Sequence, residues 1–249
     1  TCALSIANQG HEVYLLEKDS ELGGTARKIH YTLDGMDVQT YLHDLMRQVY
    51  QHPSIYVYTD AVITEATGYV GNFATKVKSD RGESEIKHGA AIIAVGGDVY
   101  QPTEYLYGED ERVMTNLELE DRIIKADEKL IKARSLVMIQ CVGCRQENRN
   151  YCARICCNQS IKNALKLKRL NPQMDIYILF RDIRTYGFAE DYYREASDND
   201  VRFIRWEPDN KPRVEAAEYE GQPVLRVAVT DPILGQELAI DADYLSLAA

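Results

Sequence analysis

Five of the chain's six cysteines fall inside IQCVGCRQENRNYCARICCNQS, residues 139–160. Cys141, Cys144, Cys152, Cys156 and Cys157 follow the pattern C-x2-C-x7-C-x3-C-C. Thiols this crowded ligate a metal, hold an iron–sulfur cluster or exchange disulfides. A structural zinc site needs four ligands at about 2.3 Å in a tetrahedron, usually from two C-x-x-C knuckles. Only Cys141 and Cys144 have that form. A dithiol centre needs only Cys141 and Cys144 at a helix start, where a thiol pKa falls, and it leaves the other three without a role. A cubane iron–sulfur cluster takes four thiolates, one of which can come from a separate loop. Cys152 and Cys156, a helical turn apart, can face one volume; Cys157 turns to another corner, and Cys141 at a strand end supplies the fourth. The cluster reading uses the most residues and makes Cys144 the candidate spare, although the choice between Cys141 and Cys144 stays open. Cys2 stands alone and reads as a small buried apolar residue.

The charge around the motif fits an anion. The chain carries a formal net charge of −10, which argues against nucleic acid as a general partner. Residues 145–169 reverse that sign, with Arg145, Arg149, Arg154, Lys162, Lys166, Lys168 and Arg169 against Glu147 alone. A solvated helix face is the plain reading of such a run. A thiolate-bound cluster is itself a net anion, however, so the following helix N-terminus with Arg145, Arg149 and Arg154 is expected to hold its charge. No run approaches the ~20 apolar residues of a membrane helix, and TCALSIANQGHEVYLL lacks the basic flank and cleavage site of a signal peptide. Disulfide-rich secreted domains are small and spread their cysteines along the chain. A reducing, cytoplasmic compartment is therefore expected.

The elements that position these residues alternate as α/β. Ala3, Leu4 and Ala7 have helical spacing, Gly10 reads as a stop, and HEVYLLEK reads as a buried strand ending at Glu17. Helix, tight turn and acid-ended strand form the second half of a dinucleotide-binding unit, whose first strand and G-x-G-x-x-G turn are expected before Thr1. Glu17 then lies where such a fold puts the carboxylate for an adenosine ribose. Gly23 and Gly24 in ELGGTARKIH suit close approach of backbone to a dinucleotide, or an ordinary turn. DVQTYLHDLMRQVYQ reads as an amphipathic helix with Val38, Tyr41, Leu42, Leu45 and Val49 on one side, ended by His52-Pro53. SIYVYTDAVITEAT supplies one or two strands, and a hairpin turns near Arg81-Gly82. GAAIIAVGGDVYQP is expected as a buried return strand running into Gly96-Gly97. After the polar helical connection LELEDRIIKADEKL, RSLVMIQ is a buried strand, SIKNALKLKRL a helix ended by Asn171-Pro172 and MDIYILF another strand, a β-loop-α-β unit. AEDYYREAS and VRFIRW continue the alternation. VLRVAVTD and ELAID read as a hairpin, and ADYLSLAA as a strand. The turn after RSLVMIQ would be glycine-rich in a nicotinamide-binding domain. Here it reads C-V-G-C, so the phosphate site is given over to thiols.

HEVYLLEK, LGGTARKIH, DVQTYL, GYVGNF, IQCVGCR, YCARICC, IKNALKLK, LFRDIRTYGF and DPILGQELAIDADYLSLAA together resemble the flavoprotein (A-type) component of heterodisulfide reductase, over essentially the whole chain. The resemblance implies a thioredoxin-reductase-like core that binds FAD and carries a [4Fe-4S] cluster. It implies assembly with other heterodisulfide reductase-type subunits and an electron donor such as a hydrogenase-type subunit, with ferredoxin as a further partner. In the best-known members the flavin bifurcates electron pairs. Carried over, Glu17 and Lys18 match the adenosine end of the FAD site, Gly23 and Gly24 its Gly-Gly loop, and Gly96 the returning strand. Cys141, Cys152, Cys156 and Cys157 match the cluster motif, and many relatives have Ser where this chain has Cys144. Methanogen-type members insert a ferredoxin-like module before the HGAAII strand, whereas GNFATKVKSDRGESEIKHGAAII runs straight through here. Direct delivery to ferredoxin, and bifurcation with it, loses that support. The chain is read as a truncated fragment, without the Gly-rich FAD loop, that binds FAD weakly by itself.

The expected architecture is therefore two interleaved Rossmann-like domains of α/β class, the second carrying the cysteine cluster. An FAD-binding domain is expected over 1–120, a second Rossmann-like domain over 121–222, and a return to the first over 223–249. The function expected is electron transfer between FAD and partner subunits, an oxidoreductase role that requires no acid–base pair or nucleophile, so no catalytic side chain is assigned. Arg181, Asp182, Arg184 and Tyr186 either line a flavin–cluster interface or stitch a loop by ion pairs. The alternatives are an NAD(P)H-dependent disulfide reductase working through Cys141 and Cys144, and a zinc-stabilised interaction module.

Overall fold

The computed structural model describes all residues Thr1–Ala249. They separate into two compact units, the first made of Thr1–Ile29 and Asp37–Asp98, the second of His30–Met36 and Val99–Ala249.

In the first unit, α1 (Cys2–Ala7) leads to β1 (Val13–Leu16), a 3-10 turn at Gly24–Lys28, α2 (Val38–Gln51) and β2 (Ile55–Tyr58). Cys2, at the start of α1, is exposed rather than buried. Strand β1 is half-buried along its length rather than fully buried, and it pairs in parallel with β2, Val13 opposite Ile55. Helix α2 begins where the Asp37 carboxylate accepts from Thr40 N–H and ends at His52 before Pro53. Its apolar side is narrower than the spacing suggests, because Leu42 and Val49 are buried whereas Tyr41 is exposed. Leu4, Ala7, Leu22, Val49 and Ile55 make the small core between helices and strands. An antiparallel meander follows, β3 (Val62–Tyr69), β4 (Asn72–Ser79) and β5 (Gly82–His88), with the β4–β5 turn at the expected Arg81-Gly82.

The return strand anticipated in GAAIIAVGG does not form. Residues 90–103 carry no regular structure, and Ile93 and Val95 are 85% and 88% exposed. An apolar run becomes a buried strand only when neighbouring strands accept its hydrogen bonds. The parallel sheet of this unit consists of β1 and β2, paired with each other.

The second unit is a five-stranded, wholly parallel sheet. It contains β6 (Val113–Thr115), α3 (Asn116–Ile124), α4 (Glu128–Ile131), β7 (Ser135–Ile139), α5 (Cys156–Leu170), β8 (Asp175–Phe180), α6 (Ala189–Asp198) and β9 (Val201–Arg205). An antiparallel meander of β10 (Arg213–Tyr219), β11 (Gln222–Asp231) and β12 (Gln236–Ala242) precedes β13 (Tyr244–Leu247). The strand order is β6-β13-β7-β8-β9. Residues 223–249, read from sequence as a return to the first domain, fall in this second unit, where β13 is bonded to β6 and β7.

Side-chain alternation splits β7 between two cores. Leu136 and Met138 face the helical layer with Ile161, Leu167, Ile176 and Ile178. Val137 and Ile139 face the meander with Leu179, Leu225, Val227 and Leu245. A strand covered on both faces must read as a near-continuous apolar run, and after Ser135 this strand reads LVMI. The chain runs outward from β7 to β9, then returns through the meander to β13 on the other side of β7. The sheet's topological switch point therefore lies at the C-terminal ends of β7 and β13, where open α/β sheets bind ligands.

Candidate metal centre

The cysteine segment leaves the sheet at that switch point. Gln140 N–H donates to Leu179 O (2.9 Å) and Val142 N–H to Ala248 O (3.2 Å), so the chain leans first on β8 and then on the segment ending β13. To turn this sharply, Cys141, Gly143 and Arg145 adopt left-handed φ angles of 66°, 69° and 56°. Glycine is required at 143 for a second reason: a β-carbon there would lie 2.1 Å from the Tyr100 ring. The Arg149 guanidinium lies 4.6 Å from the centre of that same ring. Paired hydrogen bonds between Gln146 and Arg149 close the loop, and the chain comes back through Cys152 to the start of α5.

Helix α5 begins at Cys156, and no side chain caps it. Its first N–H groups and the positive end of its dipole are left for an anion. Cys141, Cys144, Cys152, Cys156 and Cys157 all line one small pocket, with Gln140, Arg145, Arg154, Asp182 and Arg184 completing the wall. None of the five is in a disulfide, and Cys144, Cys156 and Cys157 are buried.

Their protonation differs by position. The Cys144 thiol hydrogen-bonds to Cys141 sulfur, and with Arg145 and Arg181 nearby this brings the Cys141 pKa down to about 6 against the opposing effect of burial. Donating that bond, together with burial, pushes Cys144 up. Burial first, then the neighbouring sulfurs, pushes Cys156 up to about 12, and burial raises Cys157. Arg145 Nη1 approaches Cys141 Sγ at 3.8 Å, while its Nη2 holds Asp182 at 2.6 Å. Arg154 N–H donates to Cys152 Sγ at 3.3 Å.

No three of these side chains surround a single point as ligands of one ion. A cubane distributes its thiolates over several irons, so the fitting observation is convergence of sulfurs on one wall with cations behind them. The donor set meets that requirement, with five soft sulfurs, three arginines on the same pocket wall and an uncapped helix start.

The expected cationic support is only partly where the sequence puts it. Arg145 and Arg154 line the pocket, but Arg149 is occupied with Tyr100. Lys162 and Lys168 are not a solvated face either. Lys162 Nζ meets Tyr31 O and the buried Glu120, and Lys168 Nζ donates to Pro172 O and Met174 O at 3.0 Å. In RDIRTYGF, Arg181 Nη1 donates to Arg145 O (2.7 Å), Asp182 pairs with Arg145 and Arg184 lies 4.0 Å from Asp182. These three stitch the loop to the cysteine segment, whereas Tyr186 is exposed.

The nucleotide candidates lie together in the first unit. Glu17 closes β1, exchanging backbone bonds with Tyr58 and Ala61, and its carboxylate accepts Asp19 N–H at 3.1 Å. Lys18 Nζ lies 3.6 Å from Asp98, which brings the Gly96 segment beside it. Arg27 reaches Asp19 and Glu21 at 3.5 and 2.9 Å, and its side chain covers Gly23, where a β-carbon would lie 3.0 Å away. Gly23 and Gly24 both take left-handed φ.

Gln140, wholly buried on the pocket wall, is a site residue that the motif reading missed. Its signal is the buried amide that directly follows the apolar run LVMI.

The parallel sheet with its helices and returning meander is a Rossmann-like dinucleotide-binding fold. The structure of bacillithiol disulfide reductase from Bacillus cereus matches with a TM-score of 0.52 at 13% identity, over 99% of this chain and 72% of that one. No protein-family model matches the chain. Among curated proteins, the chain is 29% identical to the A-type subunit of the H2/formate:CoB-CoM heterodisulfide,ferredoxin reductase of Methanococcus maripaludis, over 99% of its own length and 51% of the relative. It is 28% identical to the iron-sulfur A-type subunit of the CoB-CoM heterodisulfide reductase of Methanocaldococcus jannaschii, with the same coverage. The chain is similar to these heterodisulfide reductase A-type subunits along nearly all of its own length and spans about half the length of the curated relatives it matches. These alignments extend over 342 positions, more than the chain's 249 residues, so the relatives carry residues within the matched region that this chain lacks. No helix is long and apolar enough to cross a membrane.

Proposed function

We propose that this chain is an electron-transfer oxidoreductase component of a heterodisulfide reductase-type complex, holding FAD in its first unit and a [4Fe-4S] cluster in its second. The observation that carries the reading is the convergence of all five thiols at the C-terminal end of β7, the switch point at which a dinucleotide-binding sheet would otherwise receive its ligand. Bound there, the cluster would supply one-electron chemistry and the flavin a two-electron store. Cys141, Cys152, Cys156 and Cys157 are the proposed ligands, with Cys144 the spare donor. Arg145 and the start of α5 balance the negative charge of the thiolates, and Asp182 fixes the arginine in place. Glu17, Lys18, Gly23, Gly24 and Gly96 form the proposed FAD contacts, the carboxylate for the ribose and the glycines for close backbone approach. Partner subunits, a hydrogenase-type donor and ferredoxin enter through the relatives' names, which describe reductases acting between H2 or formate, ferredoxin and the CoB-CoM heterodisulfide. Bifurcation would belong to that complex and needs its own test by product stoichiometry.

One observation favours a second reading. The hydrogen bond from Cys144 to Cys141, with Cys141 brought to about pKa 6, is the chemistry of a dithiol–disulfide pair. Iron and acid-labile sulfide on anaerobically prepared protein, with an EPR spectrum after dithionite reduction, separate the two. About four of each per chain, lost in Cys156→Ser and kept in Cys144→Ser, is the expected result. Metal-free protein that loses two thiols on mild oxidation, only when both Cys141 and Cys144 are present, would establish the dithiol instead.

A further inference from the structure

Gln140 stands on the wall of the thiol pocket and is 1% exposed. Its Nε2 donates to Ser160 Oγ at 2.7 Å, but its Oε1 is a buried acceptor without a donor. Ser160 Oγ, itself fully buried, already receives Asn116 Nδ2 at 2.8 Å. Asn116 is fixed in turn, because its Oδ1 accepts Ser246 Oγ–H at 2.8 Å and its backbone carbonyl accepts Asn163 Nδ2 at 3.1 Å. The serine is therefore approached by two N–H donors while its own hydroxyl hydrogen can serve an acceptor. Turning the carboxamide over, a choice that heavy-atom positions alone do not make, lets Ser160 donate to Gln140 Oε1 and leaves no oxygen stranded. The same turn moves the two N–H groups of Nε2 off Ser160 to the place of the unpartnered oxygen, on a residue that lines the thiol pocket. A buried donor needs an acceptor; Asp182, the carboxylate on that wall, is engaged by Arg145, and thiolates bound to a cluster would be further acceptors there.

We infer that Gln140 is a positioning residue for the cluster, its carboxamide donating an N–H hydrogen bond to the thiolate-ligated group and thereby raising its reduction potential. The inference rests on the cluster reading above. A donor aimed at cluster sulfur stabilises the more negative, reduced state, and hydrogen bonds to the sulfurs are among the determinants of cluster potential. The supports come from three separate elements, Ser160 on α5, Asn116 at the start of α3 and Ser246 on β13, which hold the amide rigidly. No proton has to move and no further reactant is involved.

The test is an EPR-monitored redox titration of anaerobically prepared wild-type, Gln140→Leu and Ser160→Ala protein, each with iron and sulfide counted first. Gln140→Leu should keep the wild-type iron content and titrate at a lower potential, because the donor is gone. Ser160→Ala, which frees the amide but keeps it, should move the potential in the same direction by less. If Gln140→Leu does not fold, Gln140→Met, closer in length and shape, carries the same expectation. Wild-type protein without iron would overturn the cluster reading and this inference with it. A fully loaded variant lacking the carboxamide, with the wild-type potential, would overturn the inference alone.

Discussion

Lys162 Nζ lies 2.8 Å from Glu120 Oε2, and the two side chains are 7% and 0% exposed. The contact is one of charge, off the hydrogen-bonding direction for that oxygen. Oε1 accepts the backbone N–H groups of His30 and Tyr31 at 2.6 and 3.3 Å. Tyr31 OH donates to Asn163 Oδ1 at 2.8 Å, and the ammonium lies 4.6 Å from the tyrosine ring centre. The pair thus fastens the His30–Met36 segment to α3 and α5 of the second unit. Removing one member of a buried pair strands the other charge, at about 3–5 kcal/mol. Glu120→Ala and Lys162→Met should each lower stability in chemical denaturation by about that much. Replacing both by apolar residues should recover only part of the loss, because the His30 and Tyr31 N–H groups would still lack their acceptor. Full recovery would mean that the segment is held by other contacts.

Gly143 and Tyr100 give a second, independent expectation. Gly143→Ala should destabilise by about 1–2 kcal/mol from its left-handed φ alone, and by more because the Tyr100 ring occupies the space of the new β-carbon. In a Tyr100→Ala background the steric part should vanish, leaving a coupling above about 0.5 kcal/mol in a double-mutant cycle. Additive effects would show that the ring moves freely out of the way.

What the sequence reveals here depends on whether an element is defined by its own residues or by its neighbours. Helix α2 is legible because Asp37 and His52-Pro53 mark its ends locally. Strand β7 is legible because burial on both faces demands an unbroken apolar run, here Leu136, Val137, Met138 and Ile139. The same logic misreads GAAIIAVGG, whose apolar run says nothing about which strand would pair with it. The thiols are legible as one site, since their spacing joins a strand end to a helix start, but the roles of the surrounding cations are not. Lys162 and Lys168 look like surface charges until Glu120, 42 positions before Lys162 in sequence, and the carbonyls of Pro172 and Met174 are brought beneath them. Gln140 is invisible as a site residue until Ser160 and Asn116 are seen to hold it.

Asp110 and Arg112 set a pH dependence in the second unit. The carboxylate accepts from Arg112 Nε, Nη2 and backbone N–H at 2.9, 2.7 and 2.9 Å. The guanidinium hydrogen bonds hold its pKa below the ordinary value, against burial. The native state therefore binds this proton less tightly than the unfolded chain, whose aspartate titrates near about 3.9. The stabilisation is fully present above that pH and is lost as pH falls through the lower folded value. Asp110→Asn should remove about 1–3 kcal/mol at pH 7 and close the gap to wild type as both are acidified. A gap that persists unchanged into strong acid would refute the assignment.

The metal-free thiols should report their own order. Only a thiolate attacks an alkylating agent, so the fraction ionised at a given pH ranks the sites. Cys141, held at about pKa 6 by the Cys144 hydrogen bond and by Arg145, is largely thiolate at neutral pH and half-exposed. Cys156, pushed up to about 12 by burial and by the sulfurs around it, is a closed thiol at the same pH. In a Cys2→Ser background, which removes the exposed competitor, iodoacetamide should label Cys141 first, with a rate that rises through about pH 6 and then levels. Cys144→Ala deletes the donor that stabilises the Cys141 thiolate, so its rate should rise at higher pH, toward the ordinary thiol value of about 8.5. Trypsin cleavage after Arg145 and Arg154 puts Cys141 and Cys156 in different peptides, and fragment-ion spectra place the label within the peptide that Cys141 shares with Cys144. Labelling of Cys156 ahead of Cys141, or a Cys141 profile indifferent to residue 144, would remove the thiol–thiolate pair from the site. Reconstitution with iron and sulfide should then protect Cys141 together with Cys152, Cys156 and Cys157, and continued labelling of Cys141 in the reconstituted protein would exchange its role with that of Cys144.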